Sequence, residues 1–179
     1  MMKYRIIYAD PPWRYRRNTG QGAAENHYPT LSIQDLCHLP IDKLAAEHCT
    51  LFLWVTFPQL EDGLRLIKAW GFTYKTVAFV WVKLNKKSQT PFWGLGNWTR
   101  SNVEICLLGT KGHPQRLSKK VHQLICTPIQ KHSQKPEQAR TKIIELMGDL
   151  PRIELFAREK GQGWHVWGNE IDNSIELLQ

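Results

Sequence analysis

The segment Tyr8–Trp13, YADPPW, holds the residue types best suited to chemistry in this sequence. It follows a short apolar run, which predicts that Asp10 stands at the end of a buried strand. Two consecutive prolines remove two backbone donors and restrict φ, so the loop is stiff and rich in hydrogen-bond acceptors. The Asp10 carboxylate and the Pro11 carbonyl can together accept both hydrogens of an exocyclic amino group on a nucleobase.

Methyl transfer to that amino nitrogen is the reaction these acceptors favour. The nitrogen lone pair is delocalised into the ring, and paired acceptors draw the nitrogen toward a tetrahedral geometry. A sulfonium donor then leaves positive charge on the nitrogen, which a carboxylate stabilises. Trp13 offers a flat face for the base, and a base inside a duplex must first be flipped out. The alternative is a rigid turn with Trp13 packed in the core.

The charge of the chain is concentrated in its middle third. Between Gly63 and Pro136 there are 13 Lys and Arg residues and one acid, Glu104, which gives this stretch a net charge of +12. The flanking segments are slightly acidic. This asymmetry is typical of a polyanion partner and predicts binding to nucleic acid, the alternative being a solvated basic face that keeps the protein in solution.

Length and composition indicate one domain, residues 1–179, because 42% of the 179 residues are apolar, which suffices for a single core. The chain has no long apolar run and no signal-peptide pattern, so we expect a cytoplasmic protein without a membrane partner. Four cysteines without C-x-x-C spacing are interpreted as reduced, buried thiols. The Cys37-His38 and His48-Cys49 pairs resemble a zinc set, but adjacent residues point in different directions and we predict no metal.

Strand-like and helix-like segments alternate along the chain. Strands are predicted at 5–9, 50–55, 74–83, 103–109 and 152–158, and helices within 59–72 and 135–148. The apolar faces predicted to be buried are Leu60, Leu64 and Ile67 on the first helix and Ala139, Ile143 and Met147 on the second. The alternation indicates an open, wound α/β sheet that binds ligands beyond the carboxyl ends of its strands. Long connections at 14–29, 85–100 and 112–135 carry many basic residues. Of the basic residues in or beside these connections, Arg14, Lys83 and Arg100 are predicted to contact the substrate.

The sequence resembles the MT-A70 family of S-adenosylmethionine-dependent N6-adenine methyltransferases. Besides YADPPW, the blocks that carry the resemblance are, in family order, HYPTLS (27–32), LFLWVT (51–56), WVK (81–83), GLGNWTRSNVEICLLGTKG (94–112), HSQKPE (132–137), IELFAR (153–158) and WGNE (167–170). The resemblance implies a class I methyltransferase fold, a Rossmann-like wound sheet in permuted motif order. The catalytic loop then comes early in the chain and the cofactor-binding strand, IELFAR, late.

The resemblance also implies roles for individual residues. Asp10, Pro11, Pro12 and Trp13 form the catalytic loop, and Tyr28 lies on the substrate side with Trp13. The residues implied to hold S-adenosylmethionine are Asp10, Lys135, Phe156, Arg158, Asn169 and Glu170. Simpler interpretations stay open: Lys135 as a surface lysine of a first helical turn, Arg158 as an ion-pair partner at a strand end, Phe156 as partly core, and Asn169 as a turn residue.

Adenine in DNA is the substrate that the resemblance favours, because the compact chain is similar to bacterial and phage members of the family. Adenine in RNA is the first alternative. A second is a non-catalytic nucleic-acid-binding subunit, against which the intact Asp-Pro-Pro-Trp loop argues. A third, methylation of glutamine or another amine, does not require the basic middle third. Either a monomer or a homodimer is compatible with the sequence.

Overall fold

The computed structural model describes residues 2–14, 30–96, 98–130 and 134–177. Its strands are β1 (Tyr4–Ala9), β2 (Ala45–Val55), β3 (Thr73–Leu84), β4 (Glu104–Lys111), β5 (Leu124–Pro128), β6 (Arg152–Leu155) and β7 (His165–Trp167). Its α-helices are α1 (Ile33–His38), α2 (Leu60–Ala69) and α3 (Gln138–Met147), and short 3-10 helices occupy Ile41–Lys43 and Phe57–Gln59.

The strands form one mixed sheet in the order β5-β3-β4-β2-β1-β6-β7. Strand β4 is antiparallel to both of its neighbours, β2 and β3, whereas every other pairing between the described strands is parallel. The carboxyl ends of six strands and the amino end of β4 therefore meet at one edge of the sheet, which we call the carboxyl edge. The opposite border is called the amino edge.

Apolar side chains cover both faces of the central strands. On one face, Ile7 and Ala9 pack in a cluster with residues of α1 and α2, including Leu36 and Leu66. On the other face, Ile6 and Tyr8 pack with α3 residues, among them Ile143. Because β1 is buried on both faces, its side chains read as a continuous apolar run rather than an alternating one. This explains why the strand was predictable from sequence.

The predicted α/β wound fold and all five predicted strands are confirmed, with bounds that differ by up to five residues. Three elements were missed: α1, β5 and β7. The predicted buried face of α2 is partly wrong, because Leu64 is exposed while Gly63, Leu66 and Ile67 are buried. The face predicted for α3 is confirmed. Buried thiols are confirmed at Cys49 and Cys106, but Cys37 is half-buried and Cys126 is exposed.

The chain reverses its direction across the sheet between β1 and β6, and this reversal fixes where a ligand can bind. From β1 the chain passes to β2 on one side, and from β6 it passes to β7 on the other side. The two connections leave a crevice at the carboxyl ends of β1 and β6, which is the usual ligand site of wound α/β sheets. Asp10 follows β1 and Phe156 follows β6 at this point.

Candidate active site

Four charged side chains form a linked row at the carboxyl edge. Lys135 Nζ lies 3.0 Å from Asp10 Oδ2 and 3.1 Å from Glu104 Oε2. The other oxygen of Glu104, Oε1, lies 2.5 Å from Lys83 Nζ. Asp10 thus shares Lys135 with Glu104, and Glu104 in turn binds Lys83. We call these four residues the carboxyl-edge network.

The topology of the sheet explains why distant parts of the sequence meet in this network. Asp10 follows β1, Lys83 lies near the end of β3, and Lys135 precedes α3. Glu104 reaches the same edge because β4 is antiparallel and begins there, paired in register with Trp81. Two aromatic rings support the cations: Lys83 Nζ lies 5.1 Å from the centroid of Trp81 and Lys135 Nζ lies 5.9 Å from that of Trp54.

The network sets the ionisation of its members. Burial raises the pKa of Asp10 above the ordinary aspartate value, Lys135 opposes the rise, and the Glu104 carboxylate adds to it. Burial would also raise the pKa of Glu104, but Lys135 and Lys83 together hold it below its ordinary value. The pKa of Lys135 is raised because attraction to Asp10 and Glu104 exceeds the effect of burial. Lys135 is therefore a fixed cation, and Asp10 is the carboxylate that is easiest to protonate.

A pocket of about 270 Å³ opens beside Asp10 and Lys135. Its lining mixes both signs of charge with an aromatic ring: Tyr8, Asp10, Gln134, Lys135, Pro136, Arg140, Glu154, Phe156, Arg158, Glu159 and Glu170. It occupies the crevice between β1 and β6. Of the residues predicted to hold a cofactor, Asp10, Lys135, Phe156, Arg158 and Glu170 line the pocket, whereas Asn169 is exposed beside Glu170 and is not among the lining residues described.

A buried ion pair closes the floor of the pocket. Arg140 of α3 donates from Nε to Glu154 Oε2 at 2.7 Å and from its terminal NH2 nitrogen to Glu154 Oε1 at 3.0 Å. Both residues are buried. This two-pronged contact fixes the guanidinium, whose other terminal nitrogen faces the carboxylates of Glu137 and Glu159. The pair joins α3 to β6 directly behind the pocket.

Phe156 adopts an unusual backbone conformation at the pocket. Its φ is +61°, in the left-handed region that non-glycine residues rarely occupy. Its ring meets that of Trp167 edge-on, with centroids 5.3 Å apart. Strained residues of this kind cluster at ligand sites, where the surrounding structure holds them in place.

Pro11, Pro12 and Trp13, which the sequence predicts to form a catalytic loop with Asp10, make more contacts within the fold than the sequence indicated. The Pro11 carbonyl accepts from Trp13 N at 2.9 Å, and the Pro12 carbonyl accepts from Leu31 N at 3.0 Å. Trp13 is 6% exposed, packs in the core, and donates from Nε1 to the Trp54 carbonyl at 3.2 Å. This matches the core position that was weighed as the alternative. A carbonyl has two lone pairs, so Pro11 can still accept a second hydrogen.

The predicted substrate contacts are distributed unevenly. Lys83 belongs to the carboxyl-edge network. Arg14 is exposed just after the loop and contacts the Thr30 hydroxyl. Arg100 donates to the carbonyls of Gly94 and Trp93 at 2.7 and 3.3 Å, so its side chain shapes the loop that carries it. Tyr28 lies outside the described residues.

The sequence matches a protein-family model over most of its length. The MT-A70 family model matches residues 4–170. The chain belongs to the MT-A70 family. The resemblance drawn from the sequence blocks is thus confirmed, and the permuted order it implies agrees with the early position of β1 and the late position of β6.

Individual relatives of the MT-A70 chain differ in length. It is 37% identical over 196 residues to the Type II methyltransferase M.MunI of Mycoplasma sp., with 98% of this chain and 81% of that protein covered. It is 31% identical over 180 residues to the human N(6)-adenosine-methyltransferase catalytic subunit METTL3, covering 98% of this chain and 29% of that protein. The Arabidopsis thaliana N(6)-adenosine-methyltransferase MT-A70-like is 29% identical over 177 residues, with 24% of its length covered.

The pocket of this MT-A70 member fits the cofactor of its family, S-adenosylmethionine. That molecule carries an amino-acid carboxylate, an ammonium, a sulfonium, ribose hydroxyls and an apolar base. The lining offers cations in Lys135 and Arg158, carboxylates in Asp10 and Glu170, and the ring of Phe156.

No helix among the described residues is long and apolar enough to cross a membrane.

Sequence reasoning did not assign Glu104, Arg140 or Glu154 to the site. Each carried a signal. Glu104 is the one acid in the basic middle third, and Glu154 is an acid between two apolar residues of β6, Ile153 and Leu155. Arg140 directly follows Ala139, and Ala139 belongs to the face of α3 that was predicted to be buried. A buried charge needs a partner, so these three residues could have been predicted to pair at an edge of the sheet.

Proposed function

We propose that this protein transfers a methyl group from S-adenosylmethionine to the exocyclic amino nitrogen of adenine in DNA, through its Asp-Pro-Pro-Trp loop. The observation that carries the proposal is the position of Asp10. Its carboxylate lies at the mouth of the pocket, is held by Lys135 through Oδ2 and is about a quarter exposed. A carboxylate so placed can contact both a cofactor in the pocket and a base that approaches from solvent.

The target amino group is bound by two acceptors in this proposal. Asp10 takes one hydrogen, and the Pro11 carbonyl, which keeps a lone pair beyond its bond to Trp13 N, takes the other. As the nitrogen–carbon bond forms and the carbon–sulfur bond breaks, the nitrogen becomes positive and Asp10 stabilises it. The extra proton then passes to water. We assign no general base.

Lys135 favours the ionised form of Asp10, which carries the negative charge that the mechanism needs. Burial and Glu104 both raise the pKa of Asp10, and the lysine ammonium opposes them. Glu104 and Lys83 fix the position of Lys135 from the other side. The network therefore holds an ionised carboxylate at a partly buried position, where its interaction with a developing positive charge is stronger than in water.

The lining residues would hold the cofactor as follows. Lys135 and Arg158 suit its carboxylate, Glu170 can accept from ribose hydroxyls, and Phe156 with Trp167 forms an apolar wall. When bound, S-adenosylmethionine supplies an electrophilic methyl group on sulfur. Asn169 and Tyr28 stay predictions from the family resemblance.

The choice of DNA rests on similarity. The alignment spans 81% of the Type II methyltransferase but 29% of human METTL3, whose name states adenosine as its substrate. The identity of 37% to the Type II methyltransferase, against 31% to METTL3, favours the bacterial type of activity. RNA is the second candidate, because the adenosine methyltransferase relatives align with 97–98% of this chain.

The test supplies purified protein with S-adenosylmethionine and, separately, duplex DNA, single-stranded DNA and RNA of mixed sequence. The products are digested to nucleosides and analysed by mass spectrometry, with Asp10→Ala in parallel. We expect N6-methyldeoxyadenosine from DNA with the wild type and none with the variant. In the variant Glu104 still pairs with the buried Lys135 at 3.1 Å, so the ammonium keeps a partner and the protein should stay folded.

Each other outcome contradicts a defined part of the proposal. Methylated adenosine from RNA alone would replace DNA as the substrate. Methylation at normal rates by Asp10→Ala would exclude the mechanism. Nucleic-acid binding without methylation in any tube would favour a non-catalytic subunit, and methylation of added glutamine or protein amines would favour the amine alternative.

A further inference from the structure

The connection between β3 and β4 displays large apolar side chains to solvent. We call its described residues, 85–96 and 98–103, the finger. Trp98 is 100% exposed, Leu95 is 80% exposed and Trp93 is 58% exposed. Single exposed apolar residues are ordinary, but three within six positions, two of them tryptophans, form a patch of the kind that marks a binding surface.

The finger is held in shape by its own polar groups. The Asn102 side chain accepts from Lys83 N at 3.0 Å and donates to the carbonyls of Lys83 and Phe92. Arg100 donates to the carbonyls of Trp93 and Gly94, and Gly94 N donates to the Ser101 carbonyl at 2.6 Å. These contacts tie the two arms of the finger together along its length.

Gly96 shows how tightly the tip is turned. Its φ is +61°, and a Cβ placed there would lie 1.9 Å from the Thr99 carbonyl oxygen. A side chain at this position is therefore excluded. The exposed tryptophans are carried by a defined turn, so little further ordering is needed when they bind a partner.

The finger is continuous with the candidate active site. It leaves the sheet after Leu84 and returns at Glu104, both at the carboxyl edge. Asn102 binds the backbone of Lys83, whose Nζ binds Glu104, which shares Lys135 with Asp10. The finger and Asp10 therefore lie at the same edge of the sheet and are linked through the carboxyl-edge network.

The charge of the finger indicates what binds it. Residues 85–103 contain Lys86, Lys87 and Arg100 and no acid. In a two-fold contact between fingers, a second copy of this chain would bring these like charges together. Nucleic acid offers both the phosphates that suit the lysines and the flat bases that suit tryptophan.

We propose that the finger binds nucleic acid next to the target adenine, with Trp98 stacking on a nucleobase of the same polymer. The proposal rests on the proposed function for the nature of the polymer, since it names a second contact of that substrate. Arg100 becomes a positioning residue in this arrangement, because its donors are used to shape the finger.

The test measures the affinity of labelled single-stranded and duplex DNA by fluorescence anisotropy, with S-adenosylhomocysteine present. Trp98→Ala should weaken binding by about 5- to 100-fold, the range expected for loss of one base–aromatic stack. Trp98→Phe should restore most of the affinity because its ring still stacks. Leu117→Ala is the matched control: Leu117 is 76% exposed but lies beside the C-terminal end of α3, and its loss should change nothing.

The salt dependence separates stacking from charge. Trp98→Ala should lower the affinity for DNA at every salt concentration. The slope of log affinity against log salt concentration should not change, because no phosphate contact is lost. The proposal would be overturned if Trp98→Ala bound DNA with wild-type affinity. It would also be overturned if light scattering showed that Trp98→Ala converts a dimer to a monomer while DNA affinity is unchanged. The assay measures DNA affinity and requires no methyl transfer. Its result therefore does not depend on whether the proposed methylation is observed.

Discussion

At the residue scale, the surroundings of Asp10 shift its pKa in opposite directions, and the net shift predicts how methyl transfer depends on pH. Burial and Glu104 raise its pKa and Lys135 lowers it, with a net rise. Since only the ionised carboxylate carries the negative charge that stabilises the methylated nitrogen, kcat/KM should fall as the pH drops through a pKa above the ordinary aspartate value. Lys135→Gln removes the lowering influence and should move the acid limb of the profile to higher pH. Glu104→Gln removes a like charge and should move it to lower pH.

The measurement is kcat/KM for methyl transfer across the acid range for wild type and both variants. Lys68→Gln serves as the control, because it removes one positive charge near the amino edge, at the last turn of α2. Its acid limb should coincide with that of the wild type. If Lys135→Gln and Glu104→Gln moved the limb in the same direction, the titrating group would not be Asp10.

The close approach of α2 to the sheet depends, at the element scale, on Gly63. A Cβ at this position would lie 2.5 Å from Val55 Cγ1 and 3.3 Å from Leu107 Cδ1, both buried in strands. Gly63→Ala improves helix propensity by up to about 1 kcal/mol, but overpacking costs about 1–3 kcal/mol. We therefore expect Gly63→Ala to lower the free energy of unfolding by roughly 1–2 kcal/mol in urea denaturation.

Leu64→Ala is the paired control for this prediction. Leu64 was predicted to be buried, yet it is 38% exposed in the structure. Its truncation should change the free energy of unfolding by no more than about 0.5 kcal/mol. A large loss with Leu64→Ala and none with Gly63→Ala would mean that the helix packs through the face predicted from sequence.

The elements that were predictable from sequence are those with a continuous apolar signal. The central strands β1, β2 and β4 are buried on both faces and were found. Strands β5 and β7 lie at the two ends of the sheet and are five and three residues long, too short and too exposed for a period to show. Helix α1 has only six residues, and its Ser32–Asp35 capping box is the one sequence signal that marks it.

The candidate site was predictable where a residue type had no other explanation. Asp10 stood out because an acid and two prolines ended an apolar run. Glu104 could not be placed without the sheet, because its position at the carboxyl edge depends on β4 being antiparallel. Trp98 was indistinguishable in sequence from a core tryptophan such as Trp54, which is fully buried. Burial is a property of the tertiary fold, and residue type alone does not give it.

The distribution of charge over the whole molecule predicts a directional nucleic-acid interface. The middle third carries +12 while both flanks are slightly acidic, and Glu104, its one acid, is neutralised by two lysines. Positive potential is therefore unopposed beside the finger, where Lys86 and Lys87 are exposed. The logarithm of the affinity for DNA should fall linearly as the logarithm of the salt concentration rises. The slope should be proportional to the number of phosphates neutralised.

The double variant Lys86→Gln/Lys87→Gln should reduce that salt slope by up to about 2, because each phosphate contact contributes about 0.9. The matched control is Lys43→Gln/Lys68→Gln, which removes the same charge near the amino edge, before β2 and at the end of α2. Its slope should equal that of the wild type if DNA lies along the carboxyl edge. Equal reductions in both variants would indicate that only net charge matters, and that the sheet edge does not orient the polymer. The comparison thus distinguishes a directed interface from general attraction.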